Sequence, residues 1–221
     1  MHGAEALVRR LEQAGVRWVF GIPSGPVLPL IEALRRSTIE FVLTTSETSA
    51  GFMAATVGHL TGVPGVCVAT VGPGATNLAT GVGAAWLDRA PVLAVTCNVG
   101  SAWLGRRIQM RIDHCALFRP LTKASRVLTP ETLDRSVLDA LQLATAEPPG
   151  PVHLDLPEDV ALAEVALDGD AASTRKPQLP DISEELSAAL QRAMRERRRP
   201  LPARLRALPP PRDRTASPCR R

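Results

Sequence analysis

The sequence lacks any stretch approaching the ~20 uninterrupted apolar residues that a membrane-spanning helix needs, so no membrane partner is expected. It lacks a Gly-x-x-x-x-Gly-Lys run, which excludes a phosphate-cradling P-loop. Its four cysteines (Cys67, Cys97, Cys115 and Cys219) include no Cys-x-x-Cys pair. Cys67 and Cys97 fall in or beside apolar runs, where reduced, buried thiols are expected and metal ligation is not. The opening residues Met1-His2-Gly3-Ala4-Glu5 run straight into an amphipathic pattern, without the basic start and cleavage site of a secretory leader. A cytoplasmic location is the expectation. Most of the chain also lacks excess positive charge. The net charge is +4, yet residues 1–170 carry 13 Lys+Arg against 17 Asp+Glu and residues 171–221 carry 13 against 5. A mildly acidic domain is therefore followed by a basic segment.

What is present is an alternation of short apolar runs with helical patterns over 221 residues, enough for one domain and an appendage. Residues 4–15 place Leu7, Leu11 and Ala14 on one helical face, with Glu5, Arg9, Arg10 and Glu12 opposite, and Gly15 ends the helix. Val16 to Phe20 reads as a strand, Val27 to Arg36 as a helix, 40–43 as a strand, and the stretch to Leu60 as a helix. A strand over 66–71 leads through Gly72-Pro73-Gly74 into a helix at 75–87, and a strand at 92–96 follows. After a loop at 97–112, Lys123 to Leu128 reads as a strand. Thr129-Pro130-Glu131 has the chemistry of a helix start, with Leu133, Val137, Leu141 and Ala144 as that helix's buried face. Val152 to Leu156 closes the pattern as a strand. Apolar strands alternating with helices predict an α/β fold, a parallel sheet covered by helices on both faces. Ligands then sit at the carboxyl ends of strands.

Three features fall at such ends: the turn at 21–25, Glu47, and the loop at 72–74. Glu47 stands between the apolar run Phe41-Val42-Leu43 and the helix-like Phe52-Met53-Ala54-Ala55. Burial in such a place opposes ionisation of a carboxyl group, which suits a proton relay. The other reading is an acid in the first turn of a helix, favoured by the helix dipole. The loop Gly72-Pro73-Gly74-Ala75-Thr76-Asn77 has Asn77 where a dinucleotide fingerprint has its third glycine. The next strand ends in Thr96-Cys97-Asn98 without a ribose-binding acid. Both points speak against nicotinamide or flavin binding through this loop.

The ordered set formed by Val16 to Gly25, Glu47, Val66 to Asn77, Ala90 to Thr96 and Pro149 to Pro157 resembles the N-terminal, pyrimidine-binding domain of thiamine-diphosphate enzymes. The resemblance is to the acetolactate synthase, benzoylformate decarboxylase and benzaldehyde lyase type, over roughly the first 165 residues, a full domain's worth. It implies that Glu47 hydrogen-bonds a ring nitrogen of the cofactor's aminopyrimidine and favours its imino tautomer. It implies further contacts to that ring from Thr70, Pro73 and Asn77, with Pro23 and Ser24 in the turn beside it. Gln109, in Arg107-Ile108-Gln109-Met110-Arg111-Ile112-Asp113-His114, resembles the family's active-site glutamine; an exposed loop amide is the alternative. Thr48 and Ser49 depart from the residues usual beside the glutamate. His114 matches a position that is structural in the family, His59 falls on a helix surface, and His2 and His153 show no partner pattern.

The same resemblance implies a 2-oxo acid or aldehyde substrate and a homodimer or a diphosphate-binding partner chain. The family's Gly-Asp-Gly motif, which places the diphosphate and Mg²⁺, is absent; Asp168-Gly169-Asp170 is not that motif. Mg²⁺ is then held only through a missing domain or partner chain, and an isolated copy is expected to be inactive. The expected organisation is a pyrimidine-binding domain over 1–167, a linker over 168–182, a helix over 183–198 like the start of a middle domain, and a disordered basic tail over 199–221. Loss of the reading frame near residue 200 would give a truncated relative with such a tail. A natural tail binding nucleic acid or acidic lipid is the alternative. It carries no aromatic residue for base stacking and no amphipathic pattern past 200, so nucleic acid is not expected as a partner. A separate subunit of a two-chain decarboxylase, or a non-catalytic interaction module, are further readings.

Overall fold

Six short strands form one parallel sheet in the computed structural model, which describes residues 1–167. The expected linker at 168–182, helix at 183–198 and basic segment at 199–221 lie outside the described residues. The strands are β1 (Trp18–Gly21), β2 (Glu40–Leu43), β3 (Gly65–Ala69), β4 (Val92–Asn98), β5 (Ser125–Val127) and β6 (Val152–Pro157). They lie in the order β2-β1-β3-β4-β6-β5, and every neighbouring pair is parallel. The α/β fold is as the sequence led us to expect.

Strand periodicity divides the interior into two cores. Along β3, Val66 and Val68 face one core while Cys67 and Ala69 face the other; along β4, Leu93, Val95 and Cys97 oppose Val92 and Ala94. The first core is rich in Leu and Val and is covered by α1 (Gly3–Gln13), α2 (Leu28–Arg35), α6 (Leu133–Thr145) and α7 (Glu158–Leu162). Alanine dominates the second, under α3 (Glu47–Thr61), α4 (Pro73–Asp88) and Phe118 of α5 (His114–Phe118). Small side chains let these helices approach closely: a Cβ on Gly51 would lie 2.8 Å from Gly81 Cα. The outer surface of α3 and α4 leaves Phe52, Met53, Leu60, Trp86 and Leu87 exposed. No helix among the described residues is long and apolar enough to cross a membrane.

Several local expectations need correction. Arg10 does not lie on the polar face of α1. It is 1% exposed and makes a two-pronged ion pair with Asp134 of α6, Nε to Oδ1 at 2.6 Å and a terminal nitrogen to Oδ2 at 2.8 Å. Helix α6 starts at Leu133, after a turn, because Thr129 and Thr132 satisfy each other: their hydroxyls are 3.0 Å apart and the Thr129 carbonyl accepts from the Thr132 and Leu133 amides. Lys123 terminates that helix, donating to the carbonyls of Leu143, Ala146 and Pro148 at 2.6, 2.7 and 2.8 Å. Helices α5 and α7, five residues each, went unread because they are too short to show a period. His2 does have a partner, the Leu162 carbonyl 2.7 Å from its Nδ1. Cys67 and Cys97 are buried, free thiols; burial pushes Cys67 up to about 12 and raises Cys97, where the nearby Asp155 adds to the effect.

Candidate functional site

All six strands being parallel, their carboxyl ends share one edge. The helix after β1 (α2) covers one face and the helix after β3 (α4) covers the other, so the chain diverges between these neighbouring strands. Such a switch point leaves a crevice at the strand ends. Three turns surround it: 22–25 after β1, 44–46 after β2 and 70–72 after β3. Thr44 ties the first two, its amide donating to the Gly21 carbonyl at 3.0 Å and its hydroxyl to the Ser46 carbonyl at 3.0 Å.

Glu47 is the first residue of α3, with Ser46 as cap: Ser46 Oγ accepts from the Thr48 amide at 3.2 Å. It is 8% exposed, so it is at once a first-turn acid and a buried one. Asn77 Nδ2 donates to Glu47 Oε2 at 3.2 Å, and among the described residues no cation pairs with this carboxylate. Asn77 is held in turn by Thr48, whose hydroxyl donates to the Asn77 carbonyl at 2.8 Å. The departure at Thr48 therefore has a local function the sequence did not reveal. Gly74 borders the acid; a Cβ there would lie 2.9 Å from Thr70 Cγ2 and 3.4 Å from Glu47 Oε1. Among the described residues Thr70 Oγ1 is buried without a hydrogen-bond partner, and a Cβ on Gly25 would lie 3.9 Å from it. A buried hydroxyl of this kind, beside a buried acid and two bare glycines, has hydrogen-bonding capacity left for a ligand.

Pro23, Ser24 and Pro73 are exposed on the same edge, Pro73 as the first residue of α4. Gly72 precedes it at φ 68° and ψ −110°, a conformation that needs glycine, and a Cβ there would strike the Met110 carbonyl. This contact carries the 109–112 loop to the Gly72 turn. Gln109 itself is exposed, and its side chain makes no hydrogen bond among the described residues.

A second polar cluster went unread, apart from the structural position of His114. On the central strands β4 and β6, Thr96 pairs in register with Asp155, and Asn98 and His153 stand two residues away on the same faces. Asp155 accepts from Thr96 Oγ1 at 2.7 Å, His114 Nδ1 at 2.8 Å and Asn98 Nδ2 at 2.8 Å. Burial opposes its ionisation, but the hydrogen bonds and proximity of His114, with those of Thr96 and Asn98, outweigh this and hold Asp155 below the ordinary carboxylate range. His153, read as without a partner, lies between Ser125 and Thr96 at 2.7 and 2.8 Å and stacks on Phe118 at 4.3 Å. Burial pushes it down to about 3, and the His114 ring works in the same direction against the pull of Asp155. The available signal was polar residues at strand period two, Thr96-x-Asn98 and His153-x-Asp155, within otherwise apolar strands.

These features define a parallel α/β domain with a buried acid and two glycine turns at its switch point. Residues 1–117 match the family described as "Thiamine pyrophosphate enzyme, N-terminal TPP binding domain". The chain is 41% identical over 169 residues to a "Probable acetolactate synthase large subunit" of Methanocaldococcus jannaschii, covering 76% of this chain and 29% of that protein. It is 38% identical over 185 residues to "Acetolactate synthase isozyme 1 large subunit" of Escherichia coli, covering 83% and 33%. It is also 41% identical over 199 residues to a "Probable 2-ketoarginine decarboxylase" of Pseudomonas aeruginosa, covering 88% and 36%. The chain belongs to the thiamine pyrophosphate enzyme family, in the part that forms the N-terminal domain. It spans about a third of the length of these relatives.

Proposed function

We propose that this chain forms the aminopyrimidine-binding half of a thiamine-diphosphate site, with Glu47 as the group that holds and moves a proton at a nitrogen of that ring. The observation that carries the reading is the buried Glu47 carboxylate facing Gly74, with the partnerless Thr70 hydroxyl beside it. Thiamine diphosphate, when bound, supplies the electron sink for breaking or making a carbon–carbon bond next to a carbonyl. Glu47 sits where burial keeps competing water away and where only the neutral Asn77 amide bonds its carboxylate, leaving acceptor capacity for a ring N–H. Thr70 offers an unused hydroxyl, while Gly25 and Gly74 leave room for a flat ring. Pro23, Ser24 and Pro73 border that space, and Gln109, on the loop packed at Gly72, is the side chain we assign to a 2-oxo acid or aldehyde substrate.

Among the described residues no group of three or more His, Cys, Asp or Glu side chains is placed to hold a metal ion. The diphosphate and Mg²⁺ are assigned to another domain or a partner chain, and a homodimer or a two-chain assembly completes the site. The isolated chain is then inactive. Calorimetric titration of thiamine diphosphate with Mg²⁺ into the chain alone, and into the chain mixed with the diphosphate-binding domain of one of the relatives named above, tests this. Saturable binding in the mixture supports the reading. Absence of binding in every assembly, with the fold intact, overturns it.

A further inference from the structure

We propose that His114 and Asp155 are positioning residues of the candidate site: together they clamp the Gly72 amide, and so fix the Gly72-Pro73-Gly74 turn and the Gln109 loop in register beside Glu47. This rests on the thiamine reading for its consequence, not for its geometry. The backbone N–H of Gly72 donates to His114 Nε2 at 3.2 Å, and both groups are buried. A backbone amide can only donate, so Nε2 must present its lone pair and the ring proton must sit on Nδ1. That proton meets Asp155 Oδ1 at 2.8 Å. Asn98 Nδ2 lies 3.2 Å from the same ring nitrogen and gives its proton instead to Asp155 Oδ2 at 2.8 Å. Thr96 Oγ1 donates to Asp155 Oδ1 and lies 3.0 Å from His114 Nδ1 and 2.8 Å from His153 Nε2, whose Nδ1 lies 2.7 Å from Ser125 Oγ. The Gly72 bond thus sets the His114 tautomer, and the cluster ends on a carboxylate that can only accept.

The clamp acts where the backbone is least able to hold itself. Gly72 sits at φ 68°, with the Met110 carbonyl against its Cα, and Met110 itself has φ 64°. His114 opens α5, five residues past Gln109, and Asp113 caps that helix by accepting from the Ala116 amide at 2.9 Å. One ring thus joins the loop bearing Gln109 to the turn whose next residues, Pro73, Gly74 and Asn77, border Glu47. Neither His114 nor Asp155 touches the crevice, so they act through the turn.

The test uses the full chain labelled with ¹⁵N. The wild-type His114 ring should show a protonated Nδ1 and an unprotonated Nε2, and the Gly72 amide should be protected from hydrogen exchange. Asp155→Asn should weaken the tautomer preference. His114→Phe should speed Gly72 exchange by about tenfold, the worth of one hydrogen bond, while the Val66 and Val95 amides keep their rates. His114→Gln, which can accept from Gly72 and donate to Asp155, should restore protection and so covers the case in which the Phe variant folds poorly. In the mixture with a diphosphate-binding domain, His114→Phe should weaken thiamine-diphosphate affinity about tenfold relative to His114→Gln. A wild-type ring protonated at Nε2, or Gly72 exchange unchanged in folded His114→Phe, overturns the clamp. Equal affinities in the two variants overturn its consequence for the site. Failure of the wild type to bind thiamine diphosphate, with Gly72 protected, sinks the functional reading alone.

Discussion

At the scale of single residues, what distinguishes Glu47 is its company as much as its burial. Among the described residues its one hydrogen bond comes from a neutral amide, so removing its charge strands no cation there. Glu47→Gln should therefore fold normally and lower the activity of a completed site by ~100- to 10,000-fold, the range for a placed acid–base group, as read from turnover at saturating cofactor. His153 makes a different prediction. Its folded-state value is depressed to about 3 by burial, below the ordinary histidine value, so the unfolded chain takes up a proton first as pH falls. The stability it contributes is complete above about pH 6.5 and is lost progressively toward about pH 3. Asp155, held below the usual carboxylate range, adds a loss in the same direction at more acid pH. Thermal melts from about pH 7 to about pH 4 should show a steep fall in Tm for the wild type and a shallower one for His153→Gln. Equal slopes would remove His153 from the account of acid lability.

Between elements, the Arg10–Asp134 pair joins α1 to α6 with almost no access to solvent, the two side chains being 0% and 7% exposed. Deleting one partner leaves the other charge buried, so Asp134→Ala should cost ~3–5 kcal/mol in denaturant unfolding. Replacing both, as Arg10→Met with Asp134→Leu, should recover most of that loss. A double variant no better than the single would show that the pair does more than neutralise itself. This pair also shows where sequence reading stops. The period of α1 correctly placed Leu7 and Leu11 inward, because burial of apolar residues on one helical face repeats locally. It placed Arg10 outward because the residue that neutralises it lies 124 positions away. The same holds for Asp155 and His114, one on β6 and the other opening α5, 41 positions apart. Strand ends at Gly21, Leu43 and Ala69 were legible within two residues, since apolar runs and Gly-Pro turns are local signals. So was the gathering of Glu47, Thr70 and Asn77 at one edge; Gln109 lies exposed on a turn without period, where no local signal fixes its place.

For the whole molecule, the exposed Phe52, Met53, Leu60, Trp86 and Leu87 lie on the two helices that carry Glu47 and Asn77 near their N-termini. Phe52 and Met53 stand within two turns of Glu47, so a partner covering this surface from end to end would reach the Glu47 end of α3. Phe52→Glu with Leu87→Glu should then shift the chain toward monomer in analytical ultracentrifugation and abolish thiamine-diphosphate binding in the mixture, leaving the circular dichroism spectrum intact. Unchanged mass and binding would place the partner elsewhere. The account as a whole depends on the Glu47 carboxylate meeting the aminopyrimidine. The most direct measurement is carbon NMR of the chain labelled at its glutamate carboxyl carbons, with the Glu47 signal assigned by its loss in Glu47→Gln, during titration with thiamine diphosphate, Mg²⁺ and a diphosphate-binding domain. A saturable shift of that resonance, larger than for the other glutamates, is the predicted result. Cofactor binding that leaves the Glu47 resonance unmoved would contradict it.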